Sequence, residues 1–168
     1  SKIGRTTNSK ISKKNIVSIK RKKKYKKPDR TERKGLVTSR VGQGYYRQQI
    51  IEKWGGKCPI TGIDVRSILI SSHIVRWSES NDEERLDVEN GILLSPVFDS
   101  LFDRHLISFK DTGEILVSKK LNNENVIRLG LSKEIKIEVS KGMIKYLKRH
   151  RKKFEELNKK WVRKNHTT

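Results

Sequence analysis

Four polar side chains in the middle of the chain have types and a spacing that suggest a reactive site. His73 comes near the end of a short apolar stretch, Asn90 directly precedes a second one, and Asp99 and Asp103 follow four residues apart. Residues four apart share one face of a helix, and two carboxylates there would suit a hard divalent cation such as Mg²⁺. A histidine facing them could take a proton from water. Such a set would suit the hydrolysis of a phosphodiester.

Each of these residues also has an ordinary structural explanation. A single histidine at a strand end is more often structural than catalytic, and an aspartate pair at this spacing is usually a solvated helix face. Here Phe98, Leu101 and Phe102 surround the pair. Partial burial of two like charges would be costly without a cation. Spacing alone therefore leaves both explanations open.

The apolar pattern predicts the elements that must position these residues. It alternates with turn residues in a way that indicates a strand, a polar loop, a strand and a helix. This unit comprises a strand over 67–74, an acidic loop over 79–90, a strand over 91–94 and a helix that begins at Pro96. Outside it, the pattern predicts helices over 45–54 and 140–161 and a hairpin of strands 106–109 and 114–117.

An ordered string of short motifs covers residues 36–154. Its segments are RVGQGYYR at 40–47, KCPITG at 57–62, SHI at 72–74 with Trp77, NGILLSP at 90–96, LFD at 101–103, LISF at 106–109 and YLKRHR at 146–151. This string resembles the HNH nucleases, in particular the HNH endonucleases found among bacterial restriction enzymes. The resemblance implies an α+β fold with a ββα-metal (HNH/His-Me finger) core, flanking helices and basic terminal extensions.

The same resemblance implies roles for the polar residues. His73 would be the general base, and Asn90 would brace the loop and hold the His73 backbone. Asp99 and Asp103 would bind one divalent metal ion, Mg²⁺ or Mn²⁺, with Asp103 expected to be the safer ligand because of its local burial. Ser72 stands where relatives often carry an Asp or His ligand, so we expect from it a weak or water-mediated contact at most.

Three other residues bear on these expectations. His105 occupies a position that is usually glycine in this group, and we expect it to face solvent rather than a phosphate. Arg76 replaces a usual proline and would offer a fork of donors to a phosphate. Cys58 is the only cysteine, so no structural zinc is expected, and its side chain should be a small buried apolar group.

Positive charge is concentrated at the two ends of the chain. The 168 residues carry a net charge of +21. Residues 1–35 contain 15 basic and two acidic residues, residues 141–168 contain 11 and two, and the segment between them is close to neutral. We therefore predict a basic N-terminal arm over 1–35, an HNH endonuclease domain over 36–154 and a basic C-terminal tail over 155–168.

Such charge favours a polyanionic partner, here double-stranded DNA, because lysines and arginines neutralise phosphates without reading sequence. Arginine and glutamine can also read base edges. The residues predicted to contact DNA are Arg40, Gln43, Arg47, Arg76, Lys22, Lys23 and Lys24. The alternatives are a solvated arm, and a turn at Gly42 and Gly44 whose charged neighbours face solvent.

These features together predict a metal-dependent DNA endonuclease, a type II-like restriction enzyme that leaves 5′-phosphate and 3′-hydroxyl ends. The alternatives are an HNH nuclease with a homing, phage or toxin role, and a non-catalytic DNA-binding protein on a degenerate HNH scaffold. Cutting both strands would require a homodimer or two successive nicks. Without a long apolar run or a cysteine framework, we expect a cytoplasmic protein without a membrane partner.

Overall fold

The fold is built from short elements whose bounds follow the turn residues of the sequence. The computed structural model describes residues 40–166, so the arm over 1–35, with Lys22, Lys23 and Lys24, lies outside the described residues. The helices are α1 (Arg40–Lys53), α2 (Asp82–Leu86), α3 (Pro96–Asp103), α4 (Asn123–Arg128) and α5 (Lys141–Asn165). The strands are β1 (Ile70–His73), β2 (Gly91–Leu94), β3 (Ile107–Phe109) and β4 (Ile115–Val117).

The predicted strand, loop, strand and helix unit forms the centre of the molecule. β1 and β2 pair antiparallel, with His73 opposite Gly91, and α3 follows directly. The β1–β2 sheet contacts α1 and α3, while α3 and α5 both pack against β3. All four residues of β2 are buried. This burial explains why the strand is a continuous apolar run rather than an alternating one. The α+β, ββα arrangement is therefore confirmed.

Three element predictions were wrong in their bounds. α1 begins at Arg40, so Gly42 and Gly44 lie inside a helix and form no turn. β1 is shorter than predicted because residues 66–68 form a turn and the strand begins only at Ile70. α5 continues without a break to Asn165, so the segment predicted as a tail from residue 155 is helical over most of its length.

The loop predicted over 79–90 also contains a helix. α2 spans only five residues, which is too short to show an apolar period. The Asn81 side chain accepts a hydrogen bond from the Glu84 backbone N–H, and the Glu84 carboxylate accepts one from the Asn81 N–H. This reciprocal pair satisfies backbone donors that the first turn of a helix leaves open. Local capping therefore makes a helix where the apolar pattern predicts none.

Gly91 allows α1 to lie close to the sheet. A methyl group at this position would overlap the Tyr46 hydroxyl and the end of the Ile50 side chain. Because Gly91 pairs with His73 across the strands, this close approach lies directly beside the histidine. No helix over residues 40–166 has the length and apolar character needed to cross a bilayer.

Candidate active site

An open cleft beside β1 and α3 brings together most of the predicted site residues. Its volume is about 530 Å³. The polar and aromatic residues that line it include Ser72, His73, Arg76, Trp77, Asp99 and Asp103. The antiparallel pairing of β1 and β2 returns the chain beside His73, and α3 then carries the two aspartates to the same opening.

The His73 ring is held by contacts on three sides. Its Nε2 atom lies 2.9 Å from the Arg85 backbone oxygen. The Tyr46 ring stacks on one face at 4.2 Å, and the Trp77 ring meets the imidazole edge-on at 5.9 Å. A carbonyl oxygen can only accept, so Nε2 carries the proton and Nδ1 is left as the acceptor. The ring is therefore fixed in one tautomer.

Burial also sets the charge of His73. Desolvation lowers the pKa of this imidazole, and the Arg85 guanidinium lowers it further, while the hydrogen bond to the Arg85 carbonyl works in the opposite direction. A histidine with a lowered pKa is neutral at neutral pH. The structure thus holds His73 in the form that can accept a proton.

Asn90 braces the segment that supplies the Arg85 carbonyl. Its Oδ1 accepts from the Val75 N–H at 2.9 Å, and its Nδ2 donates to the Glu84 backbone oxygen at 3.0 Å. The Asn90 backbone oxygen accepts from the Tyr46 hydroxyl at 2.8 Å. Asn90 is completely buried and does not line the cleft. Its hydrogen bonds therefore hold residues that follow His73 in the chain, and also Tyr46, whose ring stacks on the His73 ring.

Ser72 connects β1 to the first aspartate. It is buried, and its hydroxyl donates to the carboxylate of Asp99. Asp99 itself is half-buried. The predicted weak or water-mediated metal contact of Ser72 stays a prediction, but the hydroxyl clearly orients the Asp99 carboxylate.

The expected order of burial of the two aspartates was wrong. Asp103 is the exposed member, with 56% of its side chain accessible and the Arg76 Nε 3.5 Å from its carboxylate. Arg76 also donates to the Asp103 backbone oxygen at 2.5 Å. Asp103 ends α3, where the chain opens to solvent, whereas Asp99 lies one turn earlier beside β1. Neighbouring apolar residues in the sequence did not reveal this difference.

The two carboxylates fit one kind of cation site. Over residues 40–166, no group of three or more His, Cys, Asp or Glu side chains is arranged to hold a metal ion. Mg²⁺ commonly keeps several waters and binds through one or two carboxylates together with substrate phosphates. Asp99, already oriented by Ser72, and Asp103 are two carboxylates on one open cleft, which is the number that such a site needs.

His105 does not face solvent, so that prediction was wrong. Its ring is 5% exposed and stacks on the His150 ring at 4.2 Å. The backbone at His105 has φ 55°, in the left-handed region that glycine adopts most easily. The chain therefore turns sharply after α3, and this turn directs the ring back onto α5.

His150, to which sequence reasoning gave no role, is a structural residue. It stacks on Phe102 at 3.9 Å, and its two ring nitrogens bond to the Ser108 hydroxyl at 2.8 Å and the Phe102 backbone oxygen at 2.9 Å. The apolar residues Met143, Leu147 and Phe154 recur at helical spacing, and position 150 falls on the same face. That spacing is the signal that could have identified a buried histidine.

The predicted DNA-contact residues are distributed unevenly. Arg47 donates to the backbone oxygens of Leu69 and Arg66, both at 2.7 Å, and so supports the loop before β1. Gln43 is exposed on α1, and Arg40 begins that helix. Arg76 lines the cleft. Contacts of these residues with DNA stay predictions.

Sequence reasoning missed three contributions to the site. Tyr46 and Trp77 received no role in the site from the sequence, yet both contact the His73 ring. The contact of the Arg85 backbone oxygen could not be predicted, because every residue type carries a backbone oxygen. The Arg85 side chain forms an ion pair with Asp82, at 3.2 Å. Cys58 is buried, as predicted.

The comparisons with known proteins agree with this part of the structure. The model of a family described as HNH endonuclease matches residues 58–110. This span includes β1, β2 and α3 with all four polar residues, His73, Asn90, Asp99 and Asp103. No curated protein matches the chain.

Proposed function

We propose that the protein is a metal-dependent DNA endonuclease with His73 as its general base, because residues 58–110 match the model of a family described as HNH endonuclease. One observation carries the proposal. His73, neutral and fixed in one tautomer by the Arg85 carbonyl, lines the same cleft as Asp99 and Asp103. The family implies that DNA is the substrate.

His73 begins the reaction. Its Nδ1 accepts a proton from water, and the water oxygen attacks the phosphorus atom of the scissile phosphodiester. The bond to the 3′ oxygen then breaks and this oxygen takes a proton from solvent water, which leaves 5′-phosphate and 3′-hydroxyl ends. The stacked Tyr46 ring and the Asn90 network keep the imidazole in position while it gains charge.

Asp99 and Asp103 would hold the divalent cation, Mg²⁺ or Mn²⁺. When bound, this cation supplies positive charge to the phosphate and to the departing oxygen. Asp99 is the principal ligand because Ser72 already orients its carboxylate. Asp103 is the secondary ligand, since it is exposed and shared with Arg76. Arg76 donates to a non-bridging phosphate oxygen at the edge of the cleft.

Substitution of the cleft residues tests the proposal. In plasmid nicking with Mg²⁺, we expect His73→Ala to lower the rate by about 10²- to 10⁴-fold, the usual contribution of a general base. Asp99→Asn should cause a loss of similar size. Asp103→Asn should cause a smaller loss that higher Mg²⁺ partly restores. Glu124→Gln makes the same charge change on the exposed helix α4 and should leave the rate unchanged.

A binding measurement separates the roles of these residues without any cleavage. Titration calorimetry with Mn²⁺ should detect weaker binding in Asp99→Asn and normal binding in His73→Ala. Wild-type nicking by His73→Ala would exclude this residue as the base. Unchanged Mn²⁺ affinity in Asp99→Asn would exclude the assigned metal site.

We also propose a restriction role. It is supported by the long motif string over 40–151, which resembles HNH restriction enzymes beyond the matched span. Sequencing the ends produced from a random DNA library, methylated and unmethylated, provides the test. Cutting at one short, frequent site is the expected result, and cutting only at one long, rare site would indicate homing instead.

A further inference from the structure

A second cavity lies between the end of α3, the turn after β4 and the second half of α5. Its volume is about 230 Å³. We call it the α5 cavity and define it by four basic and two apolar side chains, Arg104, Lys120, Lys160, Lys164, Leu157 and Trp161. Among the residues that the structure describes, no acidic side chain lines it.

No carboxylate of residues 40–166 neutralises the positive charge of the α5 cavity. Within residues 40–166, none of its four basic side chains forms an ion pair with a carboxylate, and Arg104 donates only to the Ser100 hydroxyl, at 2.7 Å. Other basic residues of α5 are paired: Arg149 with Glu84, and Lys153 with Glu79. Unpaired cations that converge on one cavity repel each other, and an anionic ligand would relieve that repulsion.

The apolar side chains give the cavity a second kind of contact. Leu157 is 44% exposed, and Trp161 is half-buried beside it. An indole at a cationic site can stack on a nucleic acid base, while the lysines and the arginine contact the phosphate. A nucleotide combines these two chemistries, a flat aromatic ring and a concentrated negative charge.

The size and position of the cavity indicate one nucleotide of a longer strand. Its volume lies below the roughly 300 Å³ at which pockets for drug-sized ligands begin, so a duplex segment would not enter it. Asp103 lines the cleft, and the next two residues, Arg104 and His105, line the α5 cavity. Consecutive Cα atoms lie about 3.8 Å apart, so the two sites share a rim at the end of α3.

We propose that the α5 cavity binds one unstacked nucleotide of the DNA strand that passes through the cleft. Trp161 stacks on the base, and Arg104, Lys120, Lys160 and Lys164 contact its phosphates. The inference rests on the proposed nuclease function, which supplies DNA as the ligand. It extends that function, because it gives the enzyme a preference for DNA with an unpaired nucleotide next to the cut.

Binding in the absence of divalent metal tests the proposal independently of cleavage. The probes are a fluorescent duplex with a short single-stranded gap and the same duplex without a gap, measured in EDTA. Wild type should bind the gapped probe more tightly. Trp161→Leu should weaken that binding by about 5- to 100-fold, the range for loss of one base–aromatic stack. Trp161→Phe, which keeps an aromatic face, should retain most of the affinity.

A matched pair of double variants separates the cavity from general charge attraction. Lys160→Gln with Lys164→Gln removes two charges from the cavity, and Lys148→Gln with Lys152→Gln removes two from exposed positions on the same helix. We expect the first pair to lose the preference for the gapped probe and the second pair to keep it. Equal losses in both pairs, or wild-type binding by Trp161→Leu, would overturn the proposal.

The outcome is independent of the nuclease test. A protein that nicks plasmid DNA but binds both probes equally refutes the α5 cavity alone. A protein that prefers the gapped probe but fails to cleave refutes the catalytic assignment and supports the cavity.

Discussion

His73 acquires its chemical properties from the groups that surround its ring. The Arg85 carbonyl selects the tautomer, and the rings of Tyr46 and Trp77 remove water from the imidazole. Desolvation is the largest cause of its lowered pKa. The residue type identifies the candidate base, but its neighbours determine whether it is neutral at the pH of the reaction.

Removal of one neighbour should move the pH profile of cleavage. A general base works only when it is neutral, so the cleavage rate should rise with pH through the pKa of His73. The midpoint of this rise, the acid limb of the profile, should lie below 6.5, the ordinary pKa of histidine. Trp77→Ala exposes the ring and should shift the limb upward, towards 6.5. Nicking rates measured over about pH 4 to 8 give the limb.

The control for this shift is Trp77→Phe, which keeps an aromatic cover over the imidazole. Its profile should match wild type. If Trp77→Ala also matched wild type, desolvation by this residue would not set the pKa of His73.

Sequence reasoning at the residue scale identified residue types but not environments. Residue type and spacing predicted His73, Asp99 and Asp103, and all three line one cleft. The predicted order of burial of the two aspartates was wrong, because burial depends on where α3 ends and on Arg76, which lies 27 residues earlier. The prediction that His105 faces solvent was wrong for a similar reason, since a left-handed backbone reverses the direction in which its ring points.

At the element scale, the catalytic geometry depends on how closely α1 approaches the β1–β2 sheet. Gly91 makes room for Tyr46 and Ile50, and the same tyrosine stacks on His73. Because Gly91 on β2 pairs with His73 on β1, the absence of a side chain at Gly91 affects the position of the His73 ring.

Gly91→Ala tests this link. The added methyl group overlaps the Tyr46 hydroxyl, so we expect a loss of about 1–3 kcal/mol in the free energy of unfolding, the usual cost of overpacking. Nicking should fall further than the folded fraction does, because the tyrosine ring must leave the imidazole. Urea unfolding measures the free energy of unfolding and hence the folded fraction, and plasmid nicking by the same preparation measures the activity.

A double-mutant cycle with Tyr46→Phe isolates the cause. Phenylalanine removes the overlapping hydroxyl but keeps the ring, so the double variant should recover part of the stability lost in Gly91→Ala. Strictly additive effects would mean that the two positions do not interact.

Elements with a clear apolar period were predictable, and elements held by local polar contacts were not. β2, α3 and the long helix α5 all have strong apolar patterns. The five-residue helix α2 depends instead on the reciprocal bonds of Asn81 and Glu84. The Asn-x-x-Glu spacing was visible in the sequence, but the acidic composition of the segment favoured a loop.

At the scale of the whole molecule, α5 divides the basic charge into two classes. In its first half, Arg149, Arg151 and Lys153 pair with acids far away in the chain, such as Lys153 with Glu79, 74 residues apart. In its second half, Lys160 and Lys164 line the α5 cavity and form no ion pair within residues 40–166. The sequence predicted where the basic residues are concentrated, but pairing at such separations depends on the tertiary fold, so it could not separate these classes.

The contacts of His150 connect this helix to the nuclease core. The ring lies where α3, β3 and α5 meet, with both nitrogens bonded and aromatic rings on its faces. Desolvation lowers its pKa to about 3 from 6.5, and the neighbouring His105 adds to the effect. The unfolded chain therefore binds a proton at a pH where the folded protein cannot.

This difference makes the fold sensitive to acid. His150 contributes its full stabilisation above pH 6.5 and loses it as the pH falls from 6.5 towards 3, at about 1.4 kcal/mol per pH unit once the unfolded state is protonated.

We expect His150→Gln to be less stable than wild type at neutral pH, but its free energy of unfolding should depend less steeply on pH below 6.5. His166→Gln, at an exposed position, should follow wild type. Urea unfolding across this range measures the slopes, and equal slopes for His150→Gln and wild type would exclude His150 as the source. A flatter dependence in His150→Gln would show that burial of this one imidazole limits how far into acid the nuclease core remains folded.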